Sequence, residues 1–294
     1  MKPILLTGCD GQVGAELRGP LATLGPVVAC NRGALDLADS RAIRDTVRRL
    51  QPAVIVNAAA YTAVDRAEDD PQLAEAINGV APGILAEEAA RAGALLVHYS
   101  TDYVFDGEKA EAYVEDDATA PLNAYGRSKL AGERAVQAAG ADHLIFRTSW
   151  VYGMRGRNFL LTILRLARER EELRIVDDQF GAPTWSRDIA YATAAVLSSL
   201  RGIGPATALH DRAACSGFYH LSAGGRTTWC GFARALIDAA PPEVPRPRVV
   251  PISTADYPTP ARRPRNSTLS NARLSETFGI ALPPWEVSLR DCMR

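Results

Sequence analysis

The chain has 294 residues, 47% of them hydrophobic and 23% charged, with 33 basic side chains against 34 acidic ones for a net charge of −1. That length buries a sizeable core without staples, ordinary composition argues against a disordered or fibrous chain, and the balanced charge offers no field for gripping nucleic acid. The five cysteines (Cys9, Cys30, Cys215, Cys230, Cys292) are odd in number, scattered and never in a C-x-x-C pair, which reads as reduced thiols in the cytoplasm.

Short apolar runs alternate with stretches of helical period, the pattern of a parallel sheet covered by helices on both faces. Ile4–Thr7 is the first expected strand, and the turn from Thr7 to Gly14 follows it directly and opens a helix through Leu17. Val27–Cys30 is the second strand and ends at Asn31-Arg32. Ser40 is the expected cap of a helix whose Ile43, Val47 and Leu50 share one face and which Pro52 ends. Val54–Ala58, the third strand, leads into Ala60-Tyr61-Thr62. After Asp70-Pro71, Leu73, Ile77, Val80, Ile84 and Leu85 fall at helical spacing, with a kink or break predicted at Pro82-Gly83. Leu95–Ser100 is the fourth strand, a helix follows from near Tyr125 to Ala139, and Leu144–Thr148 is the fifth. Beyond about residue 150 the alternation weakens, and prolines gather between Pro241 and Pro264 among Arg246, Arg248, Arg262, Arg263 and Arg265. The fold class is therefore α/β, a Rossmann-like doubly wound parallel sheet. Residues 1–150 form its dinucleotide-binding core, and 151–294 supply interleaved core elements and a smaller C-terminal substrate-binding region.

The turn carries G-x-x-G-x-x-G, the spacing typical of short-chain reductases. Gly8 permits the tight turn, Gly11 lets the backbone approach a pyrophosphate, Gly14 allows close helix–strand packing, and the helix N-terminus presents oriented N–H groups. Asn31-Arg32 stands where a site for the cofactor without a 2′-phosphate usually places an acidic residue, so Arg32 suits NADPH, with NADH the alternative. Asp36-Leu37 and Ala60-Tyr61-Thr62 would line the adenine and nicotinamide stretches.

Tyr125 and Lys129 lie one helical turn apart on the same face, where a cation favours phenolate and would draw the phenol toward the working pH. Lys129 would also hold the nicotinamide ribose. Thr101, at the end of the fourth strand, is placed to reach the same carbonyl oxygen as Tyr125. The four histidines (His98, His143, His210, His220) show no metal-ligand spacing and read as structural, so no metal site is predicted. No apolar run approaches the roughly 20 residues of a membrane helix.

With the glycine turn, S-T-D-Y-V-F-D-G from Ser100, Y-G-R-S-K from Tyr125 and R-T-S-W-V-Y-G from Arg147 in order, the chain resembles the dTDP-4-dehydrorhamnose reductase family of the extended short-chain dehydrogenase/reductases. The similarity runs nearly end to end, including Asn57 to Asp65 and Ala261 to Ser267. It implies reduction of a nucleotide sugar's 4-keto group, with Tyr125 as proton donor, Lys129 tuning it and Thr101 assisting. It also implies cofactor contacts from Gly11, Gln12, Val13, Asp36, Leu37, Ala60 and Thr62. Thr101, Asp102, Tyr103, Phe105, Trp150 and Arg263 would face the sugar nucleotide. Some members hold magnesium between two subunits with several acidic side chains. Glu16 matches one such position, but Arg187 stands beside Asp188 in the later one, so a magnesium-bridged homodimer is an option rather than a requirement. The rival readings are another extended family member, a nucleotide-sugar epimerase or dehydratase, and a non-catalytic NADP-binding regulatory subunit.

Overall fold

Side chains along the strands divide between two faces of one sheet in the computed structural model, which describes residues 2–203 and 208–294. The first half runs β1 (Ile4–Thr7), α1 (Gln12–Ala22), β2 (Val27–Cys30), α2 (Ser40–Leu50), β3 (Val54–Asn57), α3 (Arg66–Asp69), α4 (Pro71–Glu75), a π turn (Ala76–Val80), α5 (Ala81–Ala92), β4 (Leu95–Thr101), a 3-10 turn (Asp102–Val104), α6 (Ala124–Ala138) and β5 (His143–Thr148). The second runs β6 (Val151–Tyr152), α7 (Phe159–Glu169), β7 (Glu172–Val176), β8 (Phe180–Gly181), β9 (Thr184–Trp185), α8 (Ser186–Ser199), β10 (Gly217–His220), β11 (Thr227–Thr228), α9 (Trp229–Ala239), β12 (Arg248–Ile252), a 3-10 turn (Thr254–Asp256), α10 (Ala272–Phe278) and α11 (Trp285–Cys292).

Six strands in the order β2-β1-β3-β4-β5-β10 form the main sheet, and every neighbouring pair is parallel. Period-two alternation sorts their apolar residues. Ile4, Leu6, Val54, Val56, Val97 and Phe146 pack with α1, α8 and α10, while Leu5, Ile55, Leu96 and Ile145 pack with α2, α5 and α6. A third cluster forms after residue 150, where Leu160, Ile163, Phe232, Leu236, Trp285 and Leu289 close α7, α9 and α11 around β7. The chain leaves β1 for β2 on one side and returns to β3 on the other, so the crevice above β1 and β3 is the switch point at which such sheets bind ligands.

The structure corrects two local expectations and adds one strand to the sheet. The cap of α2 is Asp39 rather than Ser40: its carboxylate accepts from the backbone N–H groups of Arg41 (2.9 Å) and Ala42 (3.0 Å). The long helical stretch is not interrupted at Pro82-Gly83: α4, the π turn and α5 follow one another from Pro71 to Ala92, and the irregularity falls just before Pro82, whose missing N–H leaves the Asn78 carbonyl without its α-helical donor. The sixth strand, β10, comes from Gly217–His220, a short run that lies far from the alternating first half.

Candidate active site

The Gly-rich turn is built for backbone approach. Gly8 has φ +68°, and a Cβ on it would stand 2.6 Å from the Ala59 nitrogen at the end of β3. A Cβ on Gly14 would come within 2.1 Å of the Gly8 carbonyl oxygen, so any side chain there would push α1 off the turn that precedes it. Asn31 is fastened to this turn through its amide, which donates to the Asp10 carboxylate at 2.9 Å. From here a cavity of about 620 Å³ runs across the carboxyl ends of the strands. Asn31, Arg32, Asp36 and Leu37 line one end. Gly8, Gly11, Gln12 and Val13 line the middle, and Ala60, Tyr61, Thr62, Tyr125 and Lys129 the other end. Arg32 is largely exposed on the rim, 3.6 Å from Asp36.

Helix α6 carries the chemical pair. Asn123 caps it, accepting from Gly126 N–H at 2.8 Å and donating to the Arg262 carbonyl at 2.8 Å. Gly126 and Gly132 let the helix dock closely: a Cβ on the first would lie 2.2 Å from the Tyr103 carbonyl oxygen, and on the second 2.0 Å from that of Asn78. Asn78 sits in the π turn, where such departures from α geometry often mark functional positions. Its side chain accepts from Tyr61 N–H (2.9 Å) and donates to the Tyr61 carbonyl (3.0 Å) and Ser128 hydroxyl (3.0 Å), tying the cavity wall to α6.

Electrostatics at the pair differ from expectation. Burial pushes the Tyr125 phenol up to about 12, with the Thr101 hydroxyl pulling it back and Asp102 raising it further. Lys129 is buried and does not spend its charge on the phenol: its Nζ donates to the Tyr99 carbonyl at 2.5 Å and faces His98 Nε2 at 3.3 Å. Burial draws the ammonium down to about 8, against the opposing pull of Glu133. Desolvation therefore outweighs the helical-neighbour effect, and the phenol holds its proton more tightly than a free tyrosine does.

Thr101 is buried beside this pair and donates to Asp102 Oδ1 at 3.0 Å. Burial pushes the Asp102 carboxyl up to about 7, with the Ser267 and Thr101 hydroxyls working the other way. Tyr103 meets Tyr125 edge-on, ring centres 5.9 Å apart at 78°. Trp150 takes a positive φ of 48°, and its ring stacks on Trp229 at 3.5 Å and 7°. These four border the cavity without lining it.

Phe105 does not join them. It is buried in a core cluster with Val104, Tyr113, Leu130 and Leu269, and its face is stacked on Tyr113 at 4.3 Å, so no substrate reaches it without repacking. The arginines of the proline-rich segment are likewise not a free cluster. Arg263 makes a two-pronged pair with Asp65 (3.0 and 2.8 Å), Arg246 donates to the Val244 and Ala240 carbonyls, and Arg248 pairs with Glu172. At the position the resemblance offers for a bridging magnesium, Arg187 already pairs with Glu16 at 3.0 Å.

Sequence reasoning missed several contributors. Ser100 and Thr148 line the cavity, are more than nine-tenths buried and leave their hydroxyl oxygens without protein partners. Such orphaned groups suit a ligand that completes them. Arg157 also lines the cavity. The signal available for the two hydroxyls was a polar residue at the end of each of two adjacent apolar strands.

The NADP-type dinucleotide fits these residues: the glycine cradle leaves room only for backbone, Arg32 stands at the adenosine end and the orphaned hydroxyls stand at the other. Comparison with known proteins gives a consistent picture. The RmlD substrate binding domain family matches residues 1–294. A dTDP-4-dehydrorhamnose reductase of Burkholderia thailandensis is 53% identical over 99% of this chain and 98% of its own. The reductase of the same name from Escherichia coli is 45% identical over 98% and 95%. The crystal structure of dTDP-4-dehydrorhamnose reductase from Bacillus anthracis in complex with NADP superimposes with a TM-score of 0.89 at 33% identity, covering 99% of this chain and 98% of that one.

Proposed function

This chain belongs to the RmlD substrate binding domain family, and on that premise we propose that it reduces the 4-keto group of dTDP-4-dehydro-L-rhamnose with NADPH, giving dTDP-L-rhamnose. The observation that carries the reading is the placement of Tyr125, partly buried, and Lys129, fully buried, together at one end of a cavity whose other end is the glycine turn and Arg32.

When bound, NADPH supplies the hydride for the carbonyl carbon. The protein's task is the proton. Tyr125, held up near 12 by burial, keeps its proton until a strongly basic oxygen develops at the carbonyl, and then donates it. The ammonium of Lys129 is the nearby positive charge that offsets the phenolate left behind, and it is held in place from outside the pair, by the Tyr99 carbonyl and His98. Thr101 offers a hydroxyl at the same oxygen. Asp102, Tyr103 and Trp150 border the space for the sugar, while Gly8, Gly11, Gln12 and Val13 take the pyrophosphate and Arg32 the 2′-phosphate. Arg263 acts on this space through Asp65 and the segment that follows β3.

Incubating purified protein with dTDP-4-dehydro-6-deoxy-L-mannose and following NADPH absorbance tests substrate, cofactor and reaction together. One NADPH consumed per sugar, with no partner protein present, is the expected outcome. An epimerase or dehydratase would turn over its sugar with no net loss of NADPH, and a regulatory subunit would do nothing alone.

A further inference from the structure

Three successive strands of the sheet each place a polar side chain in the otherwise apolar interior beneath the active site. Thr7 ends β1, Asn57 ends β3 and His98 lies within β4, and all three are essentially buried. They touch in series. The Thr7 hydroxyl meets Asn57 Oδ1 at 2.6 Å, the Asn57 amide meets His98 Nδ1 at 3.1 Å, and His98 Nε2 meets Lys129 Nζ at 3.3 Å. The series thus runs from the residue preceding Gly8 to the catalytic ammonium. Unsatisfied polar groups at such depth are costly, so the series is read through its donors and acceptors.

Two readings pair the Asn57 amide, both ring nitrogens of His98 and the Lys129 amine. In the first, Thr7 donates to Asn57 Oδ1, Asn57 Nδ2 donates to His98 Nδ1, and the ring proton therefore sits on Nε2, pointing at Lys129. Only a neutral amine accepts it there. In the second, the ammonium donates to Nε2, the ring proton sits on Nδ1, and Asn57 must be turned over, with Oδ1 toward the ring and Nδ2 toward Thr7. An amide occupies the same shape either way round, so both orientations fit the same site. The ring itself stays uncharged, because burial and the Lys129 charge hold His98 well below the ordinary range.

We propose that Thr7, Asn57 and His98 form a reversible hydrogen-bond array that keeps Lys129 partnered in both of its charge states, with His98 as the positioning residue. The array lets a deeply buried amine lose and regain a proton without leaving a buried nitrogen facing a like partner. The proposal rests on Lys129 as the active-site cation. Its test by ring tautomer is independent of turnover, so the two readings fail separately.

The elements packed against Lys129 carry other titratable groups: β4 brings Tyr99, whose phenol is engaged by the Thr193 hydroxyl at 2.7 Å. Tyr125 and Glu133 lie on α6 itself, and Glu133 is locked to Arg147 of β5 at 2.8 Å. The 3-10 turn brings Asp102 and Tyr103, α3 brings Glu68, α4 brings Glu75, and Glu88 of α5 is taken by Arg44 and Arg48. Of these, Glu133 is the one whose field reaches Lys129.

Nitrogen NMR of the full chain labelled at histidine, titrated from about pH 6 to about pH 10, reads the array directly. His98, identified by the signals that vanish in His98→Gln, is expected to pass from the Nδ1–H to the Nε2–H tautomer as Lys129 loses its proton, never showing an imidazolium pattern. In Lys129→Met the same ring should hold one tautomer throughout. One tautomer across the wild-type titration, or a doubly protonated ring, overturns the proposal. A kinetic arm separates this role from simple packing. His98→Leu should move the alkaline loss of activity down by about one pH unit. His98→Gln, whose amide donates or accepts, should leave that limb in place. Equal limbs in all three proteins would also overturn it.

Discussion

Replacing Lys129 by Met removes a charge that the fold holds at a cost. The fall of its ammonium from the ordinary 10.5 to about 8 corresponds to roughly 3 kcal/mol by which the folded state disfavours the cation at neutral pH. The sign follows from a folded value lying below the unfolded one. At pH 7 both states carry the proton and the whole cost is present. As pH rises past about 8 the folded state gives its proton up first, and by pH 9.5 about 2 kcal/mol has been recovered. Met also orphans the Tyr99 carbonyl and His98 Nε2, a loss of about 1–3 kcal/mol that does not change with pH. At pH 7 the two effects nearly cancel. Between pH 7 and pH 9.5 the wild type should gain about 2 kcal/mol on the variant. Urea unfolding of both proteins at the two pH values measures this. Parallel stabilities would show that the lysine is hydrated in the native state, refuting the burial on which the charge argument depends.

Tyr125→Phe should nearly abolish reduction while leaving NADPH affinity close to wild type, since only the transferable proton is lost; affinity falling in step with turnover, by fluorescence titration, would contradict this. Arg32→Ala should lower kcat/KM for NADPH while sparing NADH, and an unchanged ratio of the two would put the 2′-phosphate elsewhere. Because Glu16 is already paired with Arg187, a chelator should leave both activity and thermal midpoint unchanged. The protein should also fail to dehydrate dTDP-glucose, since Tyr103, whose phenol burial holds above its ordinary range, puts no second carboxylate after Asp102 to take a carbon-bound proton, and loss of one water by mass spectrometry would be the contrary result.

Five strands and the Tyr125–Lys129 helix were legible because both kinds of signal are local: apolar runs between polar turns, and a phenol and an amine at helical spacing. What decides the site's electrostatics was not local. The expectation that Lys129 lowers the phenol used only their separation along the helix, whereas burial dominates, and burial is set by β4, β5 and the 3-10 turn closing over α6. Phe105 looked like a site residue because it stands in the same string as Thr101 and Asp102, yet the turn that follows them carries it inward to Tyr113. The reading of His98 as structural, from the lack of metal spacing, missed its contact with Lys129. Thr7, Asn57 and His98 carried a signal all the same: polar residues inside or ending three apolar strands that are neighbours only once the sheet order is known. The π turn left no trace beyond the proline and glycine that follow it, and its contact with Gly132, more than fifty residues on, appears only once α6 is docked.

The position of β10 has a consequence for how the chain reaches its native state. The sheet's outer strand beside β5 is made from residues 217–220, and α8, from residues 186–199, covers α1. A nascent chain that has emerged through β5 thus holds every residue of the glycine turn and the catalytic pair, but exposes one edge of its sheet and an uncovered face of its first helix. Such an edge is a template for pairing with another chain until the last third arrives. Cutting the protein near residue 150 would therefore yield two insoluble fragments rather than a nucleotide-binding half and a sugar-binding half, and complementation would require them to be synthesised together.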